Sequence, residues 1–102
     1  MAFERVASLN DLPDDRGLLV RVGKLEIGLY RVGDKVYAMD NACPHAGYPL
    51  HEGTLAGNFI VCNGHGWEYD LETGECPGVG GPPLVRYPVR IDGSDISIDV
   101  DG

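Results

Sequence analysis

Between Lys35 and Arg86 the chain contains no lysine or arginine at all. Over its 102 residues it carries 8 basic groups against 16 acidic ones, a formal net charge of −8. A protein that grips phosphates needs a basic stripe, so this balance argues against a nucleic-acid partner. Long apolar runs are missing too. No stretch approaches the length of a membrane-spanning helix, and the N-terminal MAFERVASLNDLPDD has neither an apolar signal core nor a twin arginine. The sequence therefore predicts a cytoplasmic protein with no membrane partner. Cysteine is scarce and odd in number, at three. Without a secretory signal, a disulfide framework is not expected. Helical periodicity is also lacking, since no window of ten residues repeats its apolar positions at the helical period.

What is present is alternation. LLVRVGKLEIGLYRVGDKVYAMD reads as three strands, Leu18 to Val22, Leu25 to Arg31 and Lys35 to Asp40, with Gly23-Lys24 and Gly33-Asp34 as turns. FIVC (59–62) and WEYDL (67–71) read as short strands on either side of NGHG. The tail forms two strands around Asp92-Gly93, with Ile91, Ile96, Ile98 and Val100 as core. Ser8 to Asp15 has room for one helical turn before Pro13 limits it. The length suits a single domain, 1–102, with a modest core to which a metal or cofactor would add stability. The fold class expected is all-β.

Residues 41–85 interrupt that rhythm with nine of the fifteen glycines and five of the seven prolines. Long ordered loops in a compact β domain usually hold something. This segment also carries Asp40 at its edge and Glu52, Glu68, Asp70, Glu72 and Glu75 within it. That is either a solvated acidic surface or a docking face for a basic protein.

Two Cys/His pairs lie in these loops: Cys43-x-His45 and, sixteen residues on, Cys62-x-x-His65. Thiolates and imidazoles bind zinc, iron and copper well. A structural Cys2His2 zinc site usually takes both cysteines from one knuckle and both histidines from another element. Here each loop gives one of each, which suits two adjacent irons better.

CPHAGYPLHEGT (43–54) and CNGHGWEYDLETGE (62–75) resemble the Rieske [2Fe–2S] family. The resemblance implies an antiparallel β-sandwich with a loop-rich cluster-binding part, about 41–85, on a basal part formed by 1–40 and 86–102. It implies one [2Fe–2S] cluster, with Cys43 and Cys62 on one iron and His45 and His65 on the other. GPPL (81–84) stands where the family covers its cluster with a proline-rich loop. The Rieske proteins of cytochrome bc complexes carry two further cysteines, at positions occupied here by Tyr48 and Gly64. They also carry a serine that donates to a cluster sulfide, where this chain has Trp67, although the tyrosine position is kept as Tyr69. Losing that donor in acidic surroundings disfavours added negative charge, so the potential expected is roughly −150 to 0 mV.

Among the remaining residues, His51 reads as a solvated loop side chain and Cys76 as an inert thiol. Tyr48, Pro49 and Leu50 read either as core or as an apolar docking spot beside the cluster. Trp67 reads as packing against the cluster loops. Gly47, Gly64 and Gly66 read as positions where backbone approaches sulfur or φ turns positive. If the ring N–H groups of the histidine ligands titrate, the potential becomes pH-dependent at alkaline pH.

The function implied is a soluble ferredoxin, an electron carrier rather than an enzyme, between a flavin-dependent reductase and a terminal oxygenase. The alternative is a Rieske-like small subunit of a larger reductase such as assimilatory nitrite reductase. An independent oxygenase would need a mononuclear iron site of two histidines and a carboxylate, and only His51 remains to build it.

Overall fold

The computed structural model describes residues 3–41, 49–62, 66–78 and 83–100. The chain runs through β1 (Glu4–Ser8), a 3-10 turn (Leu9–Asp11), β2 (Leu18–Val22), β3 (Leu25–Val32) and β4 (Lys35–Asp40). A second 3-10 turn (Leu50–Glu52) follows, then β5 (Thr54–Ala56), β6 (Phe59–Val61) and β7 (Glu68–Asp70). The last strands are β8 (Arg86–Tyr87), β9 (Val89–Asp92) and β10 (Asp95–Ile98). They form three antiparallel sheets in the orders β1-β10-β9, β2-β3-β4-β8 and β5-β6-β7.

Four hairpins, β2–β3, β3–β4, β5–β6 and β9–β10, turn on two residues each. In every one the first of the two is a glycine with φ of 60° to 65° (Gly23, Gly33, Gly57, Gly93). A positive φ at that place matches the twist of the flanking strands, and only glycine adopts it without strain.

The middle sheet is covered on both faces, as β3 records in its own sequence. Ile27, Gly28, Leu29 and Tyr30 are four consecutive buried residues. Because side chains alternate across a strand, Ile27 and Leu29 point one way and Tyr30 the other. Ile27 and Leu29 join Ala7, Val36, Ala38, Ile96 and Ile98 in a core against the β1-β10-β9 sheet. Tyr30, Tyr37 and Met39 join Leu50, Ile60, Cys62, Tyr69, Leu71, Cys76 and Leu84 in a second core against the β5-β6-β7 sheet. The all-β antiparallel expectation holds, with the sandwich extended by a third layer.

Other expectations change in detail. Ser8 caps a single 3-10 turn, its hydroxyl accepting from the Asn10 N–H while the Asp11 carboxylate accepts from the Ser8 N–H. Ile91, expected in the core, is 38% exposed because β9 is an edge strand. The proline-rich cover falls partly outside the described residues. Within them Pro83 is exposed, while Leu84 is buried and donates its N–H to the Gly74 carbonyl.

Candidate cluster site

Cys43, His45 and His65 lie outside the described residues, as do Gly47, Tyr48 and Gly64. The structure does describe Cys62 and the strands that carry all four candidates.

Cys62 ends β6. Its N–H donates to the Trp67 carbonyl (2.8 Å), and its own carbonyl accepts from the Gly66 N–H (2.8 Å), with Gly66 at φ +69°. The second Cys/His pair is therefore carried on a hairpin end with a pinned neck. Trp67 packs, half-buried, against the core beneath.

The first pair is carried by the segment between Asn41 and Leu50. Asn41 is 3% exposed, and its backbone groups and side-chain oxygen are all engaged. Its N–H donates to the Glu26 carbonyl (3.1 Å), and its carbonyl accepts from the Leu50 N–H (2.6 Å). Its side-chain oxygen accepts from the His51 N–H (2.8 Å) and lies 3.1 Å from His51 Nδ1. His51 is thus no solvated loop side chain: its ring is held at 19% exposure by Asn41, and its carbonyl accepts from the Gly17 N–H (2.9 Å). Leu50 is not a docking residue either. It is fully buried in the cluster-side core, while Pro49 is exposed.

The two loops spring from neighbouring points. The turn at Leu50–Glu52 lies against β6. A Cβ on Gly53 would sit 2.1 Å from the Val61 carbonyl oxygen, so backbone meets backbone there and no side chain fits.

A [2Fe–2S] cluster needs soft, anionic sulfur ligands in a dry pocket. Cys62 meets that description, being 1% exposed, outside any disulfide and set among Met39, Leu50 and Ile60. A second feature also fits. The Tyr30 hydroxyl is fully buried in the same core, with no hydrogen-bond partner among the described residues. An unsatisfied buried donor costs about 1–3 kcal/mol, so it marks where an acceptor belongs. Burial pushes the Tyr30 hydroxyl's pKa up, and negative charge on Cys62 pushes it further. Cys76 is buried among the apolar residues of this core, as suits an inert thiol.

The acidic segment is only partly open. Asp40 accepts from the Tyr87 hydroxyl (2.7 Å), and Glu72 accepts from the Tyr37 hydroxyl (2.5 Å). Both phenols are pushed up to about 12. For Tyr87 burial is the main cause, followed by the Asp40 bond; for Tyr37 the Glu72 bond leads and burial follows. Arg86 adds a bond from Nε to the Leu71 carbonyl (3.0 Å), which ties the turn after β7 to the middle sheet. Glu68 and Glu75 remain exposed beside the second loop.

Comparison with known proteins agrees with this geometry. The Rieske [2Fe–2S] domain model matches residues 3–88. The ferredoxin component of a naphthalene 1,2-dioxygenase system from Pseudomonas aeruginosa is 35% identical over 95 residues, covering 91% of this chain and 90% of its own. The ferredoxin of carbazole 1,9a-dioxygenase from Nocardioides aromaticivorans superposes with a TM-score of 0.84 at 30% identity, covering 96% of this chain and 97% of its own. A ferredoxin solved in complex with the oxygenase of carbazole 1,9a-dioxygenase gives 0.84 at 31% identity, over 94% of this chain and 100% of its own. The chain belongs to the Rieske [2Fe–2S] domain family, and one [2Fe–2S] cluster is its cofactor.

Proposed function

We propose that this chain is a one-electron carrier that takes its electron from a flavin-dependent reductase and delivers it to a terminal oxygenase. The observation that carries this reading is the match, along about nine-tenths of both chains, to a separate ferredoxin component of a dioxygenase system. A relative of similar length solved in complex with an oxygenase supports it. In this reading the chain turns over no substrate of its own and works in the cytoplasm.

Cys43 and Cys62 would hold one iron, and His45 and His65 the other. The bound cluster supplies one reversible electron. The chain's own residues do the rest. Met39, Leu50 and Ile60 keep water from beneath Cys62. The pinned necks at Asn41–Leu50 and Cys62–Trp67 hold the ligand loops in place, so little has to rearrange when charge arrives. Exposed Glu68 and Glu75 give the rim beside the second loop a negative charge suited to a basic partner surface. The division of buried residues into two cores supports one domain with a cluster-binding part, about 41–85, on a basal part of 1–40 and 86–102.

The test is visible absorption and low-temperature EPR of the dithionite-reduced protein, with iron and zinc assayed in the same sample. A brown protein with two irons and a rhombic signal is expected. It should then carry electrons between the reductase and oxygenase components of a naphthalene 1,2-dioxygenase system, with rates that fall as salt rises. A colourless protein holding one zinc would overturn the reading. Stable copurification with a large flavin or haem subunit would replace it with the fixed-subunit alternative.

A further inference from the structure

The β5-β6-β7 sheet has an outer face as well as the one that seals the cluster-side core. Ile60 points into that core, so Phe59 and Val61, its neighbours along β6, point away from it. Phe59 is half-buried, yet it belongs to neither of the two cores. With Trp67, Cys76 and Pro77 it lines a groove of about 450 Å³, to which Glu68 supplies the only charge among the described residues. Gly66 and Gly78 complete the lining, and a Cβ on either would meet no listed atom within 4 Å. The walls are low there.

The groove adjoins the cluster site through Trp67, whose carbonyl accepts from the Cys62 N–H (2.8 Å). Whatever rests on Trp67 is therefore one hydrogen bond from the backbone of a candidate ligand. Its charge is of one sign. Glu68 is exposed, and its carboxylate has no hydrogen bond or ion pair among the described residues. Asp70, opposite Phe59 on β7, accepts from the Glu72 N–H (2.8 Å), and exposed Glu75 precedes Cys76. Two aromatic rings beside an open carboxylate suit a planar cation. A guanidinium stacks on such rings while its edge N–H groups reach the carboxylate. An ammonium is more strongly hydrated and gains less from the rings. A purely apolar side chain would leave Glu68 unanswered.

We propose that this groove seats an arginine side chain from the docking surface of the terminal oxygenase, stacked on Phe59 and Trp67 and paired with Glu68. The inference rests on the ferredoxin reading and places one anchor of that partner on the flank of the second ligand hairpin. Arginine set against aromatic rings is the kind of contact that dominates an interface, whereas exposed rim charges mainly steer the encounter.

The experiment compares wild type, Phe59→Ala and Glu68→Gln as holoproteins of equal iron content. Stopped-flow absorption follows oxidation of each reduced protein by the oxygenase component of a naphthalene 1,2-dioxygenase system. Phe59→Ala should lower the second-order rate constant about threefold at every salt concentration. Glu68→Gln should lower it about threefold at low salt, and the difference should close as salt rises. Glu4→Gln removes the same charge from β1, in another sheet, and should keep the wild-type rate. N-acetyl-arginine amide should slow wild type more than N-acetyl-lysine amide at equal ionic strength, and Phe59→Ala should abolish that preference. Should Phe59→Ala fail to hold the cluster, Glu68→Gln carries the test from an exposed position. Wild-type rates in the variants at full iron content would overturn the inference and leave the ferredoxin reading intact. So would slowing confined to reduction by the reductase component, or sedimentation showing a dimer that Phe59→Ala dissociates, which would make a second copy the occupant. A wild-type protein with two irons that passes no electron to the oxygenase would instead overturn the ferredoxin reading.

Discussion

The Leu50 N–H donates to the Asn41 carbonyl at 2.6 Å, joining the described residues on either side of the sequence segment that contains Cys43 and His45. Asn41 reinforces it by accepting from the His51 N–H and facing His51 Nδ1. The side chain thus closes the first ligand loop at its base, a task a hydrophobic residue of similar size cannot perform.

Asn41→Ala should therefore leave the His51 N–H buried and unpaired, at a cost of about 1–3 kcal/mol. Denaturant unfolding of the holoprotein should show a lower midpoint, and bleaching of the visible bands should quicken. Asn41→Asp keeps the acceptor oxygen and should recover most of the loss.

Cys62→Ser replaces a soft thiolate with a hard oxygen at a dry position. The purified variant should lose the cluster, seen as loss of iron and visible colour. Cys76→Ser should keep full iron content, because Cys76 belongs to the apolar core and to no ligand pair. Its expected penalty is in stability alone.

Gly28→Ala would place a methyl 2.4 Å from the Tyr30 hydroxyl oxygen and 2.8 Å from Cζ. Overpacking of this kind costs about 1–3 kcal/mol. Deleting the nearest atom by Tyr30→Phe should relieve part of it. A double-mutant cycle on melting should then show the two substitutions together costing less than the sum of their single effects.

The alkaline limit follows from Tyr37 and Tyr87, whose ordinary value of 10.0 rises to about 12 in the fold. The folded state holds these protons more tightly than the unfolded state. Their stabilisation is complete below pH 10 and is lost as pH rises through about 12. Melting temperature measured from pH 9 to 12 should fall across that window. The fall should be shallower in Tyr37→Phe and Tyr87→Phe than in wild type.

Much of the fold could be read from the chain because its hairpins are local. Gly23, Gly33 and Gly93 each announce a turn between alternating segments, and β2, β4 and β6 begin where the alternation does. β5 and β8, of three and two residues, carry no pattern of their own and exist through the strands they pair with. The Cys/His spacing revealed the cofactor because ligand identity is a matter of chemistry. Leu50 and His51 misled because a polar, proline-flanked stretch looks like surface. Their burial comes from Asn41, ten residues before His51, and from β6 beneath the turn. Tyr30 reads as one more core aromatic in a strand, and its unpaired hydroxyl becomes apparent only once Gly17 and Gly28 are seen to flank it.

β3 gives alternate residues to two separate interiors, and of these only one contains Cys62, the described candidate ligand. The interior of Ala7, Ile27, Leu29, Ile96 and Ile98 includes no group that awaits iron. Folding of that half is therefore independent of metal supply. A newly made chain, or one stripped by an oxidant, should keep a standing frame to which iron and sulfide can be returned, so that damage to the cofactor is repaired by reloading rather than by replacing the protein.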